Sequence, residues 1–164
     1  FGDSLVEGVG ANPGLTLPEQ LGNRLGTEIL NYGVSGDTTR DGLARLDDAL
    51  EMKPRVVIIL LGGNDFLKKI PRGETFANLE QIVTAFQRGG AITVVVGVRS
   101  GIIGGGADDE FEALAKKTGS VSVSDVLSGI FGHAELMSDA IHPNSVGYGR
   151  IADRLAPLLL KYVK

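Results

Sequence analysis

Two stretches of this chain are too uniformly apolar to lie against water on either side. "RVVIILLGGND" carries a continuous, β-branched-rich run from Val56 to Leu61 that ends in glycines, and "AITVVVGV" carries another from Ala91 to Val98. A strand with one wet face alternates apolar and polar residues. A continuous run instead implies cover on both faces, as in a parallel sheet wrapped by helices. "EILNYGV" (Glu28 to Val34) and "SVSV" (Ser120 to Val123) are shorter strand candidates.

Helical periodicity fills the intervals between these runs. Leu17, Leu21 and Leu25 recur at spacing four. "TTRDGLARLDDALEM" offers Asp37 and Thr38 as cap candidates, followed by Leu43, Leu46 and Leu50. "ETFANLEQIVTAFQRGG" sets Phe76, Leu79, Ile82, Val83 and Phe86 on one face and stops at Gly89 and Gly90. "DDEFEALAKKTG" has acids first and lysines last, as the helix dipole favours. "NSVGYGRIADRLAPLLLKYV" is the last helix, with Pro157 expected to kink or divide it.

Strands alternating with helices predict an α/β class with a parallel sheet, a single domain over residues 1–164. In such sheets sites form beyond the carboxyl ends of the strands. That rule gathers "GDS", "GVSGD", "GGND" and "VRSG" along one edge. The strand that should precede "GDS" has to lie before Phe1. The expectation is therefore that this sequence is an N-terminally shortened version of its parent chain.

Composition excludes several function classes. With 43% hydrophobic and 22% charged residues, the 164-residue chain is suited to a folded domain and wrong for disorder. A net charge of -4 with scattered basic residues gives no broad cationic face for nucleic acid. The absence of cysteine rules out disulfides and thiolate zinc sites. No apolar run approaches the roughly 20 residues of a membrane span. The compartment stays open: cytoplasm, or periplasm and exterior if an upstream signal peptide was removed.

Ser4 stands on a glycine-preceded turn where a nucleophile would, although G-x-S-x-G is absent. A serine hydroxyl needs a base, and the base needs an orienting acceptor. "SDAIHPN" supplies both from the other end of the chain, with Asp139 three residues before His142. A tetrahedral intermediate also needs donors aimed at its oxygen. Gly36 N–H, the Asn64 side-chain NH₂ and Ser4 N–H are the candidates. Each residue has a plainer reading: a turn glycine, an Asx turn at Asn64, a helix-capping histidine. Their joint fall at predicted strand ends favours the chemical one. His133 lacks a carboxylate at comparable spacing and reads as a loop or surface residue. Asp3 is expected to bond backbone N–H groups, and Asp37 and Asp65 to cap helices or hold loops. No paired spacing supports a metal site from Asp3, Asp65 and Asp139. "SGIIGGGADD" lacks the ending of a phosphate-binding loop, and Ser100 to Gly106 reads as a loop over the site.

Four blocks, "FGDSLVEGVG", "NYGVSGDTTRDGLARL", "VVIILLGGNDFLKKIP" and "MSDAIHPNSVGYGRIADRL", resemble in order and spacing those of the SGNH (GDSL) hydrolases. The nearest branch is the bacterial arylesterase, acyl-CoA thioesterase and lysophospholipase group. The resemblance implies a three-layer, flavodoxin-like fold with a five-stranded sheet of order 2-1-3-4-5. It implies a Ser4–His142–Asp139 triad, an oxyanion hole of Ser4, Gly36 and Asn64, and an acyl-enzyme formed without metal or other cofactor. The implied partner is a small-molecule ester or thioester: aryl, short-to-medium acyl, or lysophospholipid. Phe66, Leu67, Ile70, Ile102 and Ile103 are expected to line the acyl groove. Lys68, Lys69, Arg72 and Arg99 lie near it for an anionic leaving group. A carbohydrate acetylesterase is the alternative, disfavoured by 5% aromatics and no Trp. A non-catalytic binding module is disfavoured by the intact Ser4, Asp139 and His142. Acyl length, leaving group and oligomeric state stay open.

Overall fold

A computed structural model describes residues 1–98 and 107–163. In chain order the elements are α1 (Ser4–Glu7), α2 (Leu17–Leu25), α3 (Thr39–Ala44), α4 (Leu46–Glu51), β1 (Val56–Ile59), α5 (Gly63–Leu67), α6 (Arg72–Arg88), β2 (Ile92–Val96), α7 (Ala107–Thr118), β3 (Val121–Val123) and α8 (Ser145–Val163), with a short 3₁₀ turn at Ala134–Leu136 before α8. The strands make a parallel sheet in the order β1-β2-β3. Val56 stands opposite Ile92, and Val94 opposite Val121. Both continuous apolar runs thus become neighbouring strands, and Val94 to Val96 on β2 are almost wholly buried.

Five strands were expected, and among the described residues three form. The segment 28–34 makes no strand. It meets the sheet through a single parallel bridge from Gly33 to Gly2, and Gly2 makes a second bridge to Leu60. Beside it Phe1 and Gly2 run on into Asp3, which caps α1. Alongside the bridges, between Ile29–Tyr32 and Val56–Ile58, lies an apolar cavity of about 340 Å³ that Leu17, Leu21, Phe86 and Leu159 also line.

The helices form two packed groups. On one side α2 runs along α8, and Arg24 ties them by donating to the Asp153 carboxylate at 2.7 Å and the Gly149 carbonyl at 3.1 Å. On the other, α6 packs on α3, α4, α7 and β2, burying Leu79, Ile82, Val83 and Phe86. Phe86 meets Phe1 edge-on at 5.5 Å, and Phe76 meets Phe111 of α7 at 5.0 Å. Pro157 does not divide α8, which runs unbroken to Val163. Pro157 faces solvent, so the Asp153 carbonyl it leaves without a donor can be hydrated. The single helix expected after Thr38 is instead two, broken at Arg45, where φ is -114° and ψ 17°. Thr38 rather than Asp37 is its cap, with hydroxyl and N–H both on the Asp41 carboxylate.

One buried carboxylate fastens this half of the molecule. Asp65 of α5 is fully buried and accepts from Thr39 N–H at 2.8 Å, Thr39 Oγ1 at 2.6 Å and Thr75 Oγ1 at 3.2 Å. It therefore joins the starts of α3 and α6 to the residue next to Asn64. Among the described residues no helix is long and apolar enough to cross a membrane, and no group of His, Cys, Asp or Glu side chains could hold a metal ion. Thr39→Val keeps the side-chain shape but removes a donor from a buried carboxylate. It should destabilise the protein by about 1–3 kcal/mol in urea unfolding, and a cost near zero would remove Asp65 as the fastener.

Candidate active site

Ser4 is positioned by a turn that the sheet edge dictates. Gly2 N–H donates to Tyr32 C=O at 3.1 Å and Val34 N–H to Gly2 C=O at 3.0 Å. On the other side Leu60 N–H donates to Phe1 C=O at 3.1 Å and Asp3 N–H to Leu60 C=O at 3.3 Å. Only glycine fits between these two segments: a Cβ at Gly2 would lie 2.4 Å from the Leu60 carbonyl oxygen and from Val6. The chain then turns directly into α1. Asp3 caps it, its Oδ1 accepting from Leu5 N–H at 3.0 Å. Ser4 is the first helical residue, 7% exposed.

The candidate base arrives from the loop before α8. Asp139 Oδ1 accepts from the backbone N–H of Ile141 and of His142, each at 2.7 Å. Met137 and Pro143 pair as an antiparallel bridge across the same loop. Asn144 then caps α8 by accepting from Val146 N–H at 3.0 Å and Gly147 N–H at 3.1 Å. Held in this way, His142 Nδ1 lies 2.8 Å from Asp139 Oδ2, and its Nε2 lies 3.0 Å from Ser4 Oγ. A proton on Nδ1, donated to the carboxylate, leaves Nε2 as an acceptor for the serine hydroxyl. Asp139 is held down at about 2, chiefly by its bond to the His142 ring and then by the two backbone donors. It therefore stays ionised at any working pH.

Two of the oxyanion candidates lie in neighbouring turns. Gly36 has φ +84° in a turn closed by Asp37 N–H to Val34 C=O at 3.2 Å, so the turn's own bond does not use Gly36 N–H. Asn64 sits in the first turn of α5, and its Nδ2 donates to the Asp37 carbonyl at 2.9 Å, leaving its other hydrogen for a ligand. Asp3 Oδ2 lies 3.5 Å from the same nitrogen, too far for a strong bond. Burial pushes the Asp3 carboxyl up to about 6, against the lowering effect of the Leu5 N–H bond and of nearby His142.

The remaining expectations divide. Phe66 and Ile70 are half-buried beside Asn64's helix, and Leu67 is 47% exposed. Ile102, Ile103, Arg99 and the loop at Ser100 to Gly106 lie outside the described residues. Lys68 is turned to the oxyanion loop, its Nζ donating to Gly36 C=O at 2.9 Å. His133 is exposed beside Glu135, away from Ser4. The apolar cavity of about 340 Å³ touches none of Ser4, Asp139 or His142. Sequence reasoning missed Glu7, which accepts from Ser35 N–H, and Arg45, which binds Asp37. Neither has a motif. The opposite charges of Asp37 and Arg45 were the available signal, hidden by the expectation of an unbroken helix.

Residues 1–150 match the model of the GDSL-like lipase/acylhydrolase family. The chain is 29% identical to Esterase TesA of Pseudomonas aeruginosa, over 96% of this chain and 85% of that protein. It is 30% identical to Thioesterase 1/protease 1/lysophospholipase L1 of Escherichia coli K12, over 97% of this chain and 81% of that one. The crystal structure of TesA superposes with a TM-score of 0.91 at 28% identity, covering 98% of this chain and 96% of that chain.

The raised Asp3 carboxyl fixes one pH dependence. Its folded value of about 6 lies above the ordinary 3.8. Between those values the native state holds a proton that the unfolded chain has lost. The contribution of Asp3 to stability is thus fully present below about pH 4 and declines as pH rises through about 6. Relative to Asp3→Asn, the wild type should lose stability between pH 4 and 7.5, by up to about 3 kcal/mol. Urea unfolding at both pH values measures this, and an equal gap at the two would contradict it.

Proposed function

The chain belongs to the GDSL-like lipase/acylhydrolase family, and from that premise we propose that it hydrolyses carboxylic esters and thioesters through an acyl-enzyme on Ser4. Its relatives are named esterase, thioesterase/lysophospholipase and arylesterase, and the enzyme is a serine esterase of the SGNH type. The observation that carries the residue assignment is the line of contacts from Ser4 Oγ to His142 Nε2 at 3.0 Å and from His142 Nδ1 to Asp139 Oδ2 at 2.8 Å.

In this reading Ser4 Oγ attacks the acyl carbon and its proton passes to His142 Nε2. The carbonyl electron pair moves to the oxygen, which Ser4 N–H, Gly36 N–H and the free Asn64 hydrogen receive. The tetrahedral carbon then expels the alkoxide or thiolate, which takes the proton from His142. Water enters and gives a proton to the same nitrogen as its oxygen bonds to the acyl carbon. The second tetrahedral carbon then expels Ser4 Oγ, which takes that proton back from His142, and the free acid leaves. Asp139 fixes the tautomer and balances the imidazolium. All three oxyanion donors are set by backbone turns or by the Asp37 carbonyl, so they need no reorganisation during the reaction, which is what makes such donors effective.

The finer points belong to the same proposal. The two bridges at Gly2 support reading residues 1–2 and 28–34 as the places of the first and second strands in a 2-1-3-4-5 order. Exposed Leu67, with Phe66 and Ile70, supports an acyl path along α5. Lys68 and Lys69 beside it suit an anionic leaving group. The path is short, which favours short-to-medium acyl chains, since each further CH₂ gains only while it finds apolar surface, at roughly 0.8 kcal/mol apiece.

Ser4→Ala and His142→Ala should each abolish nearly all hydrolysis of a short-chain aryl ester, and the double variant should be little worse. Asp139→Asn should cost up to about 10⁴-fold in kcat by imposing the wrong tautomer. Asn64→Ala should lower kcat by about 10²–10³-fold with KM nearly unchanged. An Asp139→Asn protein with near-normal kcat would overturn the triad. A raised KM at constant kcat would make Asn64 a ground-state contact instead.

A further inference from the structure

Besides Asn64, three side chains hold the loop that carries Gly36. Glu7 accepts from Ser35 N–H, and Lys68 Nζ donates to Gly36 C=O at 2.9 Å. Both are exposed, and water screens such contacts. The third is different. Arg45 Nε donates to Asp37 Oδ2 at 2.6 Å, and its Nη2 donates to the Gly2 carbonyl at 2.8 Å. Its guanidinium lies 4.4 Å above the centre of the Phe1 ring, and Asp37 is only 8% exposed. We propose that Arg45 is a positioning residue for the oxyanion hole, locking the loop that bears Gly36 and the amide of Asn64 to the turn that bears Ser4. The proposal rests on the serine-esterase reading above.

One guanidinium touches the segments that carry all three donors. Gly2 lies two residues before Ser4, so the bond to its carbonyl fixes the turn that aims Ser4 N–H. Asp37 follows Gly36 directly, so the bond to its carboxylate fixes the turn that aims Gly36 N–H. The Asp37 carbonyl in turn receives Asn64 Nδ2 at 2.9 Å, so the Asn64 amide follows Asp37. Two donors on one rigid plane set the angle between turn and loop as well as the distance, which a lysine ammonium cannot do. The chain also departs from regular helix at this residue. Arg45 is the break between α3 and α4. In an unbroken helix capped at Thr38 its Cα would stand about 10 Å up the axis.

Such a residue acts on the transition state, not on substrate binding, and misplacement of a reacting group by about 1 Å can cost about 10²-fold in rate. The test uses the whole protein and a short-chain aryl ester, with a fluorophosphonate to count reactive Ser4. Arg45→Met should lower kcat by about 10- to 100-fold with KM unchanged, and Arg45→Lys should recover only part. Combined with Asn64→Ala it should cost less than the product of the two single losses, because both act through the same oxygen. Wild-type kcat in Arg45→Met would overturn the proposal, as would fully multiplicative losses in the double variant, which would make Arg45 a stabilising residue only. If Arg45→Met loses cooperative urea unfolding, Asp37→Asn carries the test: it removes the charge, keeps the shape, and should show the same fall in kcat, where an unchanged kcat would overturn the proposal. Wild-type protein that fails to take the fluorophosphonate at Ser4 would overturn the esterase reading itself, and this proposal with it.

Discussion

Hydrogen bonds on both sides of Phe1–Asp3 hold the rest of the site in place. The backbone there lies between the segment at Tyr32–Val34 and the end of β1 at Leu60, close enough that position 2 admits no side chain. A peptide so tightly flanked cannot move without breaking hydrogen bonds on both sides. Ser4 begins a helix immediately afterwards, so its direction is inherited from the sheet edge. The loop of Gly36 grows from one flanking segment, and Asn64 from the continuation of the other. In the proposed mechanism secondary structure itself thus positions nucleophile and donors, and only the proposed base, His142, is delivered from elsewhere, by the loop before α8.

The acidic residues around this turn serve four different purposes, and their surroundings decide which. Asp139 is exposed, doubly capped by backbone N–H groups and bonded to imidazole, and is held at about 2 as a permanent anion. Asp3 is buried with one good backbone donor, and burial lifts it to about 6. Asp65 is fully buried but surrounded by donors from Thr39 and Thr75, which fits it to join helices. Asp37 faces a guanidinium and so joins loop to turn. A shared metal site would need several of these carboxylates to converge. Each instead has its own donors.

Much of this was legible because it follows from local pattern. Continuous apolar runs gave β1 and β2, and the Leu and Phe spacing gave α2 and α6. Asp139, three residues before His142, could be seen to reach its ring. What was not legible depends on packing at a distance. Pro157 was expected to kink or divide α8; the helix runs on through it, with Pro157 on its solvent face, where the freed carbonyl can reach water. The break at Arg45 follows no propensity in "TTRDGLARLDD"; it comes with a guanidinium engaged by Asp37 and Gly2, two partners that only the fold brings near. The segment 28–34 reads as a strand by composition, yet it meets the sheet only through the bridge from Gly33 to Gly2.

The central claim is that Ser4, Gly36 and Asn64 aim three donors at one oxygen while His142 serves the serine. The most direct measurement is a high-resolution crystal structure of the protein after reaction with a small alkyl fluorophosphonate. The account predicts phosphorus bonded to Ser4 Oγ and one phosphonyl oxygen about 3 Å from Ser4 N, Gly36 N and Asn64 Nδ2 together. An adduct on another residue, or a phosphonyl oxygen turned away from Gly36 and Asn64, would contradict it.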